Sequence, residues 1–216
     1  LVDRERLREA RERAAAAAEV TLLAVSKGHG IERIREAAAA GQKAFGENYV
    51  QDALAKIEAL PQMEWHLIGP LQSNKTRAAA ERFDWVQTLD REKIARRLSD
   101  QRPVHRPALN VLIQVNISGE ETKGGAAPGQ VRELASAIAA LPRLRLRGLM
   151  AIPAPGAHQD LGEMRRLYDE LRDQFGMDTL SMGMWDDLEQ AVAAGATMVR
   201  IGTAIFGPRS KEKSAA

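Results

Sequence analysis

The 216-residue chain contains no cysteine, which excludes disulfide staples and thiolate metal sites. Aromatic residues are scarce, at 4%. An aromatic-studded basic surface that stacks on nucleic-acid bases has little material to be built from. A charge excess is missing as well: 31 Lys and Arg face 29 Asp and Glu, a formal net charge of +2. Nucleic acid is therefore not an expected partner. No apolar run approaches the ~20 residues of a membrane-spanning helix. Residues 1–19, rich in Arg, Glu and Ala, lack the apolar centre of a signal peptide. The expected location is the cytoplasm, with no membrane partner. The four histidines, His29, His66, His105 and His158, show no metal-ligand spacing, and no G-x-S-x-G, P-loop or G-x-G-x-x-G occurs. No metal is expected.

What is present is a regular alternation. Residues 3–18 read as an alanine-rich helix with interleaved charges. Short apolar or β-rich segments follow at 20–25, 43–46, 65–68, 85–88, 109–115, 144–150, 179–181 and 198–201. Helical patterns lie between them at 31–40, 49–59, 73–81, 91–99, 128–140, 158–175 and 186–194, with Gly41 and Gly195 at helix C-terminal positions. Buried strands alternating with helices imply a parallel sheet with its helices outside. Eight such strands point to an α/β fold, a single (β/α)8 TIM-type barrel over residues 1–209, with a disordered tail at 210–216. An open doubly wound sheet is the competing architecture. The last strand has no full helix after it, and the helix at 3–18 is expected to cover that face.

Two segments suggest chemistry. Leu22-Leu23-Ala24-Val25-Ser26-Lys27 is an apolar run that ends on an amine, followed by the Gly28-His29-Gly30 turn. A lysine at a barrel mouth can act as a nucleophile when burial lowers its pKa, although a solvated lysine capping a strand is the commoner case. Val199-Arg200-Ile201-Gly202-Thr203 ends in a turn suited to phosphate, with Gly202 permitting close backbone approach and Thr203 supplying a hydroxyl. Arg200 interrupts an apolar strand, and a buried guanidinium needs hydrogen-bond partners because it keeps its proton. It either sits in a core ion pair or donates to a ligand ring nitrogen. Ser181, in Ser181-Met182-Gly183-Met184, is placed on the other side of the same pocket. Asn48 either contacts a ligand or caps the next helix. His66 either faces a ligand or is a satisfied core histidine. An amine at one strand end and a phosphate turn at another are what a pyridoxal phosphate site requires.

Taken in order, these stretches, with 45–51, 65–75, 114–118 and 147–155, resemble the YggS/PROSC family of pyridoxal phosphate-binding proteins, also called pyridoxal phosphate homeostasis proteins. The resemblance implies a barrel similar to that of bacterial alanine racemase, and pyridoxal 5'-phosphate held as a Schiff base on Lys27. It places Arg200 opposite the pyridine nitrogen, Gly202 and Thr203 at the phosphate, and Asn48 and Ser181 in the pocket; His66 is a further cofactor-binding candidate from its inward strand phase alone. It implies cofactor homeostasis without established catalytic turnover, with apo PLP-dependent enzymes as candidate recipients; a monomer is expected on separate grounds, since no sustained heptad and no exposed apolar stripe argues for a dimer. A PLP-dependent amino-acid racemase is the alternative, but no second base is evident opposite Lys27. One departure stands out: the family reads Ser-Met-Gly-Met-Ser where this chain has Trp185 in the fifth place, so either the indole turns outward or it obstructs the phosphate side. Gly28-His29-Gly30 is a second departure, expected to loosen its loop.

Overall fold

A strand that is apolar on both faces must be covered on both, and closing the sheet into a cylinder does this. The computed structural model describes residues 2–15 and 19–208; the expected tail at 210–216 lies outside them. Eight parallel strands close in sequence order, with β8 (Met198–Ile201) pairing back onto β1 (Thr21–Val25). The others are β2 (Ala44–Glu47), β3 (Glu64–Leu67), β4 (Trp85–Leu89), β5 (Leu109–Gln114), β6 (Leu144–Met150) and β7 (Thr179–Ser181). Closure removes the open-sheet alternative.

The connecting helices are α2 (Ile31–Ala39), α3 (Val50–Ala59), α4 (Thr76–Arg82), α5 (Glu92–Gln101), α6 (Val131–Ala139), α7 (His158–Phe175) and α8 (Leu188–Ala193). Gly41 and Gly195 take φ of +91° and +94° just past α2 and α8, the left-handed geometry that lets a helix turn back into the next strand. Ser73 does not cap α4; it starts a short 3-10 turn, Ser73–Lys75, and its carbonyl accepts from the Thr76 hydroxyl at 2.9 Å. Among the described residues no full helix follows β8, only α9 (Thr203–Phe206). Instead α1 (Arg4–Ala15) packs on α8, α9 and β1 through Leu7, Ala10 and Ala14, covering the seam where the barrel closes.

Alternation divides the core in two. Outward residues such as Leu22, Ala24, Phe45, Leu67 and Val111 join the helices in one continuous apolar layer. Inside the cylinder the apolar contacts form two small clusters, Leu23, Ala44 and Met198 with Ile68, and Trp85, Leu112 and Met150. The buried polar side chains of His66, Gln87, Ser181 and Arg200 share the interior with them.

Candidate functional site

The strands' C-terminal ends open on a cavity of about 910 Å³, within the range of small-molecule sites. Lys27, Asn48, Arg200, Gly202 and Thr203 line it, together with Val25, Ile68 and Ile152. They reach it by alternation: Leu23 points into the cylinder, so Val25 and Lys27 follow on the same side, as Met198 leads to Arg200 and Gly202.

The backbone that carries Lys27 is firmly held. Ser26 donates its N–H to the Gly46 carbonyl at 3.0 Å, and its hydroxyl to Glu47 Oε1 at 2.6 Å. Lys56 Nζ donates to the same carboxylate oxygen at 2.7 Å. Burial pushes the Glu47 carboxyl above its usual range, and the Lys56 charge opposes that shift. The turn after Lys27 is not loose. His29 is buried, its ring stacked on Phe206 with centroids 5.0 Å apart, and Arg33 donates to the Phe206 carbonyl. The expectation of a slack Gly28-His29-Gly30 loop is corrected, because the imidazole ties the lysine turn to α9 and hence to the Gly202-Thr203 turn.

At that turn Gly202, Thr203 and Ala204 all line the cavity. The first N–H groups of a helix lack intrahelical acceptors, which suits an anionic group. A side chain at Gly202 would bring its Cβ to 3.3 Å from Val25 Cβ, so the close packing of β8's end on β1 favours glycine. Arg200 is almost fully buried; Nη1 donates to Ser181 Oγ at 2.7 Å and Nη2 to the Ala151 carbonyl at 2.8 Å. Burial lowers its pKa to about 10, still far above neutrality, so the guanidinium remains a cation.

Asn48 lines the cavity and is not a helix cap: the α3 N-terminus, at Tyr49, has no side-chain cap. Two residues expected in the pocket stand elsewhere. Ser181 is fully buried and does not line the cavity; its hydroxyl is spent on Arg200 and Gln87. His66 is also fully buried and lies off the cavity, stacked on Trp85 at 4.9 Å and hydrogen-bonded to Glu64 and Gln87. Alternation gave both the correct face of their strands, but not their depth along the barrel axis. Neither is a wall of the cavity.

Trp185 is turned toward α1. The Arg13 and Arg6 guanidinium carbons stand 4.2 Å and 5.3 Å from the indole centroid, and Arg13 also donates to the Trp185 carbonyl at 3.2 Å. Arg13 is fixed in turn by Glu189 of α8 at 2.6 Å. The ring still reaches the cavity edge, beside Asp3, Arg6, Met184 and Asp186. Sequence reasoning missed Gln87, Glu47 and Arg6. A lone amide in the apolar strand Trp85-Val86-Gln87-Thr88-Leu89 was the available signal for the first; Arg6 left none, because its role depends on where α1 docks.

The alanine racemase N-terminal domain family matches residues 2–210. The pyridoxal phosphate homeostasis protein of Escherichia coli is 54% identical over 206 residues, 90% of this chain and 88% of that protein. Its counterpart in Pseudomonas aeruginosa is 55% identical over 212 residues, covering 94% and 91%. Among solved structures, PipY of Synechococcus elongatus with PLP bound aligns with a TM-score of 0.84 at 38% identity, covering 94% of this chain and 99% of that one. Alanine racemase of Corynebacterium glutamicum, at 20% identity and a TM-score of 0.76, shares the fold over 63% of its own length.

Proposed function

The chain belongs to the pyridoxal phosphate homeostasis proteins, built on the alanine racemase N-terminal domain, and from that premise we propose that it binds and stores pyridoxal 5'-phosphate as a Schiff base on Lys27. The observation that carries the reading is a single cavity lined by an amine, a buried arginine and a Gly-Thr turn at the start of a helix. The residues fit the cofactor's three functional groups: Lys27 for the aldehyde, Arg200 for the ring nitrogen, and Gly202 and Thr203 for the phosphate, with Asn48 beside them. Bound there, the cofactor supplies an electrophilic carbonyl carbon and an electron-withdrawing ring.

The protein's residues favour storage over turnover. An arginine cannot accept a proton from the ring nitrogen and does not promote its protonation, so the ring remains a weak electron sink. Besides Lys27 and Arg200, the titratable residues lining the cavity among those described are Asp3, Arg6 and Asp186. Tyr168 lies instead in α7, with its hydroxyl bonded to the Met177 carbonyl at 3.2 Å. The reading extends to residues 1–209 acting as one cytoplasmic, monomeric cofactor-binding domain that passes its cargo to apo PLP-dependent enzymes. The test is α-proton exchange into several amino acids in deuterated water. The loaded protein is expected to give no exchange above the same concentration of free cofactor, and stereospecific exchange would support the racemase alternative.

A further inference from the structure

We propose that Gln87 and His66 are positioning residues for Arg200, acting through a one-directional chain of hydrogen bonds that crosses the barrel interior and ends on Glu64. The proposal deepens the cofactor reading above and rests on it for the role of Arg200, although the chain itself is a property of the protein alone.

The charged groups at the two ends set the direction, because a guanidinium only donates and an ionised carboxylate only accepts. A guanidinium can only donate, so Ser181 Oγ accepts from Arg200 Nη1 at 2.7 Å. The serine proton is then directed to Gln87 Oε1, at 2.7 Å. That sets the amide orientation, and Gln87 Nε2 donates to His66 Nδ1 at 2.9 Å, with Met198 Sδ a second acceptor at 3.1 Å. An accepting Nδ1 means that the imidazole is neutral and carries its proton on Nε2, which faces Glu64 Oε1 at 2.8 Å. The electrostatics agree: burial holds the imidazole below its usual range, and the hydrogen bond from His66 holds the Glu64 carboxyl below its own.

The chain links four strands, β8, β7, β4 and β3, which form two pairs facing each other across the cylinder, β8 with β4 and β7 with β3. The pairing of β4 with β5 shifts register between Val86 and Leu89, the interval that contains Gln87. Gln87 follows Trp85 onto the interior face by plain alternation, and the break in phase comes after it, where Leu89 packs in the outer layer. The arrangement answers a specific need. No carboxylate hydrogen-bonds to Arg200 among the described residues; its acceptors there are the Ser181 hydroxyl and the Ala151 carbonyl. A buried cation so placed depends on aligned dipoles, and each link turns its negative end toward the guanidinium. Without Gln87 the Ser181 hydroxyl loses the acceptor that orients it, and without His66 the Gln87 amide loses the nitrogen that fixes which of its ends faces Ser181; in either case the Ala151 carbonyl is left as the guanidinium's one firmly oriented acceptor.

The test pairs Gln87→Met, which removes both amide functions, with His66→Gln, which keeps an acceptor for Gln87. Nitrogen-proton correlation spectra of the cofactor-free wild type at neutral pH are expected to show His66 protonated on Nε2 and Arg200 guanidinium protons protected from exchange. In Gln87→Met that protection is lost, the dissociation constant for pyridoxal phosphate rises roughly tenfold, and the absorption band of the bound cofactor moves. His66→Gln retains most of the wild-type behaviour. A wild-type His66 protonated on Nδ1 overturns the proposal, as does a folded Gln87→Met with unchanged Arg200 exchange, affinity and spectrum. If Gln87→Met does not fold, His66→Phe replaces it with the same expected outcomes. Failure of the wild type to bind pyridoxal phosphate would sink the cofactor reading, while the exchange data would still decide the positioning role.

Discussion

Replacing Trp185 by serine, the residue that the family resemblance leads one to expect there, should move stability and cofactor retention in opposite directions. The indole sits against two arginines, at 4.2 Å and 5.3 Å from its centroid, and packs at the edge of the main core. Each cation–π contact at a partly exposed site contributes about 0.5–1 kcal/mol. Loss of the half-buried ring's apolar contact costs about 1 kcal/mol more. Trp185→Ser should therefore destabilise the fold by about 2–3 kcal/mol, a fall in Tm on the order of 5–10 °C for a chain of this size. In exchange, a small hydroxyl becomes available at the phosphate side, and one hydrogen bond to a charged oxygen is worth roughly a tenfold gain in affinity. Thermal unfolding of the cofactor-free protein and equilibrium titration with pyridoxal phosphate measure the two effects separately. An unchanged melting temperature would refute the packing role of the indole. Equal or weaker retention in the variant would refute the idea that the tryptophan displaces a phosphate ligand.

Two further outcomes are expected. The folded His66 imidazole resists protonation more than its ordinary value of 6.5 implies, so below that pH the unfolded chain takes up a proton that the folded one does not. Stability contributed in this way is complete above pH 6.5 and is lost on acidification, by up to about 1.4 kcal/mol per pH unit. Melting curves between pH 7.5 and 5 should show a steeper acid-side decline for wild type than for His66→Gln, and parallel curves would contradict the assignment. Thr203 is exposed at the start of α9, so Thr203→Val should leave Tm within about 2 °C while weakening pyridoxal phosphate binding roughly tenfold. Unchanged binding would remove the threonine hydroxyl from the phosphate site.

The strands could be read from short segments rich in aliphatic residues, such as 109–115 and 144–150, and Gly41 and Gly195 marked helix ends by their backbone freedom. The count of eight strands pointed to a closed barrel, and the N-terminal helix covers the closing seam as expected, although its contacts through Leu7, Ala10 and Ala14 reach elements nearly two hundred residues later. Lys27, Asn48, Arg200, Gly202 and Thr203 each stand at or just beyond a strand's C-terminal end, where barrel topology alone brings them together. His66 and Ser181 carry the same inward phase but lie deeper. Period-two alternation fixes a face and is silent about the stagger that sets depth. Trp185 could be flagged as unusual from sequence, but its direction is set by Arg6 and Arg13, whose positions follow from tertiary packing.

The most direct test of the central claim is mass spectrometry of the protein loaded with pyridoxal phosphate and reduced with borohydride. One pyridoxyl adduct is expected, on the peptide that contains Lys27, and Lys27→Ala should abolish it. An adduct mapped instead to Lys56, Lys75 or Lys123, or no adduct on the wild type, would contradict the account.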